Sequence, residues 1–260
     1  MKKILLIALF ILIIFGLLFF VFFKKNKFTT NKKITVIFDF DSTIVKNETL
    51  NDILKTSIGD NDDIKQQIDN IVKQAMNGEI TPKHSMNERL KLATIHKQTV
   101  EKEIDITKTL ITDDIADVIK KLQENKNIEI FIVSGGFKEI ILPIAKILNL
   151  KKENIYANNF IYKNDIVVGV EENILLEEQG KVKMINKLKK EKKIAGKTIM
   201  IGDGWTDLET KLYNTVDVFI CFAGVEKREK VINESLKQNY EIVYSSKELL
   251  KIINKIIDNK

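Results

Sequence analysis

The chain has few of the residues that cross-link a fold or interrupt its helices and strands. Its 260 residues include one cysteine, two prolines, two histidines and one tryptophan. A lone cysteine, Cys221, excludes an internal disulfide framework, and its place in an apolar run predicts a buried thiol. With two prolines and no repeat or low-complexity linker, the sequence indicates no domain boundary besides those given below.

Basic patches of the kind that bind nucleic acid are also lacking. The chain has 42 basic and 36 acidic residues, a formal net charge of +6 and a pI of about 9.0. Six lysines and no acidic residue lie in residues 1–32, so the rest of the chain has 36 basic and 36 acidic side chains. The excess positive charge therefore belongs to the N-terminus, and no nucleic-acid partner is expected.

The N-terminus does contain a long apolar run. Residues 4–23 include no charged or strongly polar side chain, and as a helix they would span about 30 Å, enough to cross a bilayer core. Lysines flank the run and no small-residue cleavage site follows it. This predicts an uncleaved transmembrane anchor with a basic tether over residues 1–32 rather than a removed signal peptide. The larger lysine cluster after the run favours a cytoplasmic location for the remaining chain.

Two carboxylates follow the first apolar strand-like run, residues 34–38. Asp39 and Asp41 are two positions apart, so at a strand end both can face one reacting group. Like charges this close favour a bound cation, or one ionised group beside one protonated group. A single Asp-x-Asp pair is more often a solvated acidic turn, so its interpretation depends on the other motifs.

Three later segments supply complementary chemistry. Residues 130–137 form an apolar run that ends in Ser134 and Gly135, where a hydroxyl and free backbone N–H groups could hold an anion. Lys181 follows a glycine at the start of a helical pattern. Residues 198–207 place Asp203 and Asp207 after another apolar run. Oxygen ligands without cysteine or histidine nearby suit Mg²⁺.

In this order, the four motifs resemble those of the haloacid dehalogenase superfamily, and more closely its phosphoserine phosphatase family. The resemblance covers roughly residues 33–255. Further matching segments are Asn47-Glu48-Thr49, Ala75-Met76-Asn77-Gly78, Ser85-Met86-Asn87-Glu88-Arg89-Leu90, Tyr156-Ala157-Asn158 and Gly180-Lys181. The resemblance implies a Mg²⁺-dependent phosphomonoesterase that acts through an aspartyl-phosphate and hydrolyses O-phospho-L-serine.

The same resemblance implies a role for each motif residue. Asp39 would be the nucleophile and Asp41 the general acid and base. The phosphoryl oxygens would be held by Ser134, Gly135 and Lys181. Mg²⁺ would be held by Asp39, Asp41 through its main-chain carbonyl, Asp203 and Asp207.

Substrate recognition is expected from Glu48 and Arg89, which match family residues that bind the amino and carboxylate groups of phosphoserine. Arginine can grip a carboxylate with two parallel hydrogen bonds, and glutamate complements an ammonium group. Two positions depart from the family pattern. Pro82 stands where a pocket-closing phenylalanine is usual, and Trp205 replaces a small residue, where it could narrow the pocket or pack under the cap.

The pattern of runs predicts an α/β fold: a doubly wound, mainly parallel sheet with an inserted helical cap, preceded by one transmembrane helix. Residues 33–47 and 111–260 would form the catalytic core. Residues 48–110, where strand signals vanish and helical spacing dominates, would form the cap. Residues 158–170 indicate a hairpin turning at Lys163-Asn164-Asp165.

Two alternative functions stay open from the sequence. The protein could act on another small phosphorylated metabolite, or it could be a membrane-tethered binding protein without catalytic activity. The complete set of acidic and basic motif residues favours an enzyme, because binding alone would not require the second acid at Asp41.

Overall fold

The computed structural model describes residues 33–76 and 79–258. The described residues form one compact unit. The strands are β1 Ile34–Phe38, β2 Ile128–Phe137, β3 Ile155–Asn158, β4 Phe160–Lys163, β5 Ile166–Val170, β6 Lys197–Gly202, β7 Val218–Phe222 and β8 Glu241–Val243. The helices are α1 Thr49–Ile58, α2 Asp62–Met76, α3 Pro82–Leu90, α4 Lys97–Thr109, α5 Ile115–Glu124, α6 Lys138–Ile147, α7 Gly180–Lys190, α8 Trp205–Leu212, α9 Glu229–Lys237 and α10 Ser246–Asp258.

Six of the strands form one sheet in the order β3-β2-β1-β6-β7-β8, and every pair in it is parallel. The predicted parallel α/β core is therefore confirmed. Strand β1 lies between β2 and β6, with Phe38 opposite Ile132 on one side and Ile201 on the other. The ends of these three strands, where the motifs occur, are consequently neighbours.

Strand β1 is buried along its whole length because helices cover both faces of the sheet. Val36 and Phe38 belong to one buried apolar cluster, whereas the intervening Ile37 belongs to a second cluster on the other face. Cys221 of β7 belongs to the second cluster and is a free buried thiol, as predicted. The apolar runs read from the sequence thus correspond to central strands of a two-sided core.

Helices α1 to α4 occupy residues 49–109, the region where the sequence lacks strand signals. Helix α1 packs against α4, and α2 packs against α3. Thr81 begins α3: its hydroxyl accepts a hydrogen bond from the His84 backbone, and Pro82 occupies the first turn, where no N–H is needed.

The predicted hairpin is confirmed. Strands β4 and β5 pair antiparallel, and Asn164 and Asp165 between them adopt positive φ angles of 49° and 61°. Asparagine and aspartate tolerate this conformation better than most residues, which explains the turn at this point.

The predicted transmembrane helix lies in residues 1–32, outside the residues that the structure describes. Within residues 33–76 and 79–258, no helix combines the length and the apolar character needed to cross a bilayer. Asn77 and Gly78 of the family-like motif also lie outside the described residues.

Candidate active site

The motif residues meet at the carboxyl edge of the sheet. Asp39 directly follows β1, and its backbone N–H donates to the Ile201 carbonyl of β6. Just beyond, Ile44 N–H donates to the Phe40 carbonyl over 2.8 Å, which closes a tight turn after the strand. This turn brings Asp41 back toward the strand end, so both carboxylates line one pocket.

Three carboxylates converge at this edge. Asp39, Asp203 and Asp207 each offer an oxygen, and the three oxygens lie within 4.8 Å of one another. Asp203 and Asp207 are buried. A Cβ on Gly202 would come within 2.3 Å of the Asp207 carboxylate, so only glycine lets β6 approach this side chain.

Lys181 joins two of these carboxylates. Its ammonium lies 2.8 Å from Asp39 Oδ2 and 2.6 Å from Asp207 Oδ1. The lysine begins α7 beside Gly180, where a Cβ would meet the Ile174 and Leu175 carbonyls at 2.7 Å. Glycine at position 180 therefore allows the start of α7 to approach the turn at residues 174–175 closely, and this approach sets the position of Lys181.

The electrostatics of the cluster suit a bound cation. Burial raises the pKa of Asp203 to about 7, with the charge of Arg228 acting in the opposite direction. Burial, followed by the charge of Asp39, also raises the pKa of Asp207 well above its ordinary value. A divalent cation would stabilise the ionised forms of all these groups, and an all-oxygen donor set fits Mg²⁺.

Asp41 has a different environment from Asp39. Its Oδ1 accepts the Thr49 backbone N–H over 3.1 Å. Burial, followed by the negative charge of Glu48, raises the pKa of Asp41 well above its ordinary value. A raised pKa favours the protonated form of a carboxyl group, which is the form that general-acid catalysis requires.

Ser134 and Gly135 belong to β2 and line the same pocket as the carboxylates. The strand continues through the glycines to Phe137 instead of ending at Ser134, and its pairing with β3 shifts register between Val133 and Phe137. Ser134 is buried and its oxygen accepts the Gly136 N–H, while the Gly135 carbonyl accepts from Asn158. The irregular segment presents small residues to the pocket.

Glu48 and Arg89 line the same pocket from the helical side. Glu48 Oε1 accepts the Ser42 hydroxyl over 2.7 Å. Arg89 Nη1 donates to Asn51 Oδ1 over 2.9 Å, which joins α3 to α1. Burial lowers the pKa of Arg89 to about 10, and the charges of Glu48 and Asp41 oppose that shift.

Comparison with known proteins agrees with this geometry. Residues 35–210 match the model of the haloacid dehalogenase-like hydrolase family. The chain belongs to this family. It is 34% identical to the chloroplastic phosphoserine phosphatase of Arabidopsis thaliana over 75% of this chain and 65% of that protein, less than two thirds of the relative's length.

Two further relatives align over a larger share of their own length. The human phosphoserine phosphatase is 32% identical over 78% of this chain and 85% of that protein. A solved structure of a phospho-aspartyl intermediate analogue of phosphoserine phosphatase superposes with a TM-score of 0.69 at 28% identity, over 85% of this chain and 99% of that one. This haloacid dehalogenase-like hydrolase therefore shares fold and sequence with phosphoserine phosphatases across most of residues 33–260.

Sequence reasoning missed one residue of the hydrolase site. Arg228, directly before α9, donates from Nε to Asp203 Oδ2 and from Nη2 to Glu48 Oε1, both over 2.6 Å. It stands in a charged run, residues 226–230, that reads as a solvated helix start. A signal existed: the chain has 40 lysines and two arginines, and both arginines reach this site.

The two departures from the family pattern lie close together in this haloacid dehalogenase-like hydrolase. Pro82 lines the active-site pocket. Trp205 instead lines a neighbouring cleft together with Thr81 and Pro82, and the Lys230 ammonium lies 4.5 Å from the centre of its ring. The indole thus stands beside the start of α3 rather than in the pocket.

Proposed function

We propose that this protein hydrolyses O-phospho-L-serine to L-serine and phosphate, and that it belongs to the phosphoric monoester hydrolases of its family. The observation that carries the proposal is one pocket that holds a carboxylate pair, Asp39 and Asp41, together with Glu48 and Arg89. The first two supply the chemistry of phosphoryl transfer. The second two complement the ammonium and carboxylate groups of the substrate.

In the first step, a carboxylate oxygen of Asp39 attacks phosphorus, and the bond between phosphorus and the serine oxygen breaks. Asp41 gives its proton to the departing alkoxide. In the second step, Asp41 takes a proton from a water molecule that attacks the aspartyl-phosphate, and the bond between phosphorus and Asp39 breaks. The raised pKa of Asp41 supports this exchange of one proton.

The phosphoryl oxygens are assigned to Ser134, Gly135 and Lys181. Lys181 neutralises negative charge at the phosphoryl group, and the Ser134 hydroxyl and Gly135 N–H add hydrogen bonds. The contact of Lys181 with Asp39 supports this assignment, because it places the ammonium beside the attacking oxygen.

Mg²⁺ is assigned to Asp39, Asp203 and the main-chain carbonyl of Asp41, and when bound it neutralises charge on the transferring phosphoryl group. Asp207 is assigned to the same site. One of its oxygens accepts from Lys181 and the other from the Gly204 N–H, so it also positions the lysine and the metal loop.

Removal of divalent metal is expected to abolish phosphate release. The clustered carboxylates repel one another and the substrate without a cation. The measurement is phosphate release by full-length protein in detergent, treated with a chelator and then supplied with excess Mg²⁺, which should restore activity. Full activity in chelator would contradict the metal assignment.

Residues 48–110 are assigned to a cap that closes over the substrate and excludes bulk water from the aspartyl-phosphate. Arg89 of α3 and Glu48, just before α1, would then engage the substrate as the cap closes. A substrate panel tests the whole proposal: phosphoserine should be hydrolysed faster than phosphoethanolamine, which lacks the carboxylate, and faster than 3-phosphoglycerate, which lacks the amine. Equal rates on all three would refute phosphoserine as the substrate while leaving the phosphatase chemistry intact.

The apolar run over residues 4–23 supports a further proposal, that the enzyme is anchored to a membrane by its N-terminus and faces the cytoplasm. The full-length protein should sediment with membranes and resist extraction by high salt and carbonate, whereas a chain that starts at residue 33 should stay in the supernatant. Equal partitioning of the two chains would exclude the anchor.

A further inference from the structure

A partly buried hydrogen-bond network lies next to the pocket, and its members Asn47 and Asp52 line a second cleft together with Glu48. The Asn47 side-chain nitrogen lies 2.8 Å from Glu103 Oε1, 3.0 Å from Asp52 Oδ2 and 3.3 Å from Thr107 Oγ1. Thr107 also donates to Glu103 Oε1 over 3.1 Å. The network joins the loop after β1 to α1 through Asp52 and to α4 through Glu103 and Thr107.

The network contains more acceptors than donors. An amide nitrogen carries two hydrogens, yet three acceptor oxygens surround that of Asn47. The Asn47 side-chain oxygen is buried without a hydrogen-bond partner. One extra proton on a carboxyl group would relieve the shortage, because it adds a donor between two acidic side chains.

Glu103 is the group placed to carry that proton. It is only 2% exposed, and within the described residues it forms no ion pair. The charged groups that face it come from α1: Asp52 directly, and behind it Lys55, which is paired with Asp69 of α2. Burial, followed by the charge of Asp52, raises the pKa of Glu103 to about 7.

Asn47 connects this network to the pocket. Its backbone carbonyl accepts the Ser42 N–H over 3.2 Å, and the Ser42 hydroxyl in turn donates to Glu48 Oε1 over 2.7 Å. The Asp52 N–H donates to the Glu48 carbonyl over 3.1 Å. The backbone before Glu48 is therefore held by Ser42, through the Asn47 carbonyl. The Glu48 carbonyl is held by Asp52, whose side chain also accepts a hydrogen bond from the Asn47 amide.

We propose that Glu103 is a positioning residue for Glu48, and that it acts through Asn47 and in its protonated form. The inference rests on the proposed function of Glu48 in amine recognition. When Glu103 is neutral, it adds a donor to the network, and the loop that carries Asn47 and Glu48 is held in place. When Glu103 ionises, two negative charges share one amide and the contact between α1 and α4 weakens. The backbone around Glu48 is then held less firmly, while its carboxylate keeps its contacts with Ser42 and Arg228.

The test compares pH profiles of full-length wild type and Glu103→Gln on phosphoserine. Glutamine is neutral at every pH and keeps a hydrogen-bond donor, so it mimics protonated Glu103. The ratio of kcat/KM, variant over wild type, cancels the titration of the substrate and of shared groups. We expect the ratio to be near one at pH 6 and to rise about 3- to 10-fold by pH 8.5, mostly because the KM of the wild type increases.

A substrate lacking the amine separates positioning of Glu48 from a general structural effect. With 3-phosphoglycerate, the same ratio should stay flat, because Glu48 has no ammonium to bind. Glu101→Gln, an exposed change on the same helix, should give a flat ratio on both substrates. In an Asn47→Ala background, Glu103→Gln should lose its pH-dependent advantage, since the connection to Glu48 is gone.

A flat ratio on phosphoserine would overturn the inference, as would an equal rise on 3-phosphoglycerate. Either result leaves the proposed function standing if wild type still prefers phosphoserine. A wild type that hydrolyses neither ester would instead contradict the proposed function itself. Thermal unfolding of each variant at pH 6 and pH 8.5 confirms that folded protein is compared.

Discussion

Asp39→Asn is expected to lower kcat by about 10⁴-fold or more, the scale seen when a nucleophile is removed from a group of catalytic residues that act together. The amide has nearly the same size as the carboxylate, but its oxygen is a poor nucleophile and a weaker ligand for Mg²⁺. It also removes the charge that faces Lys181 over 2.8 Å. Phosphate release from phosphoserine under saturating Mg²⁺ measures the loss.

The matched control is Asp113→Asn. Asp113 lies outside the pocket, with 84% of its side chain exposed, and pairs with Lys46. Because exposed ion pairs contribute little, this variant should keep wild-type activity. If Asp39→Asn kept more than a few per cent of the activity while Asp113→Asn behaved as wild type, Asp39 could not be the nucleophile.

Arg89→Ala is expected to reduce kcat/KM for phosphoserine. The loss should correspond to about 2–5 kcal/mol of transition-state stabilisation, the cost of truncating one partner of a buried charge pair. The loss should be similar on 3-phosphoglycerate, which keeps the carboxylate. It should be small on phosphoethanolamine, which has none. Steady-state kinetics on the three esters measure all of these differences under the same conditions.

Arg89→Lys serves as the conservative control for this site. A lysine restores the charge but cannot reproduce the planar grip on a carboxylate, so we expect partial recovery on phosphoserine. It would also lose the Nη1 contact with Asn51 that joins α3 to α1. Equal losses on all three esters would mean that Arg89 supports the packing of α3 on α1, or binds the phosphate, rather than the substrate carboxylate.

The sequence alone predicted the sheet and the clustering of its motif residues, for a local reason. Each motif follows an apolar run of the kind that forms a central strand, and parallel topology brings the ends of such strands together. The prediction that Asp39 and Asp203 lie close together therefore did not depend on the conformation of any loop. The end of strand β2 was harder to predict, because the strand continues through its glycines to Phe137 with a shift in register. Small residues allow such a shift, but their presence does not predict it.

Contacts made by the helices and loops could not be predicted in the same way. Arg228 meets Glu48 across 180 positions of sequence, and its charged neighbourhood resembles a solvated helix start, so that only the scarcity of arginine in the chain marks it. The bond between Asn47 and Glu103 depends on how α1 packs against α4. Periodicity indicates that such helices are amphipathic, but it does not specify which polar side chains will be enclosed between them.

The position of Trp205 makes the intrinsic fluorescence of the protein sensitive to the surroundings of α3. The chain has a single tryptophan, and its half-buried ring lines the cleft between the first turn of α3 and the catalytic side of the molecule, with a lysine ammonium over one face. Indole emission responds to the polarity and charge around the ring. Movement of α3 would change both, so the ultraviolet fluorescence of the unlabelled protein would report any such movement at that one boundary.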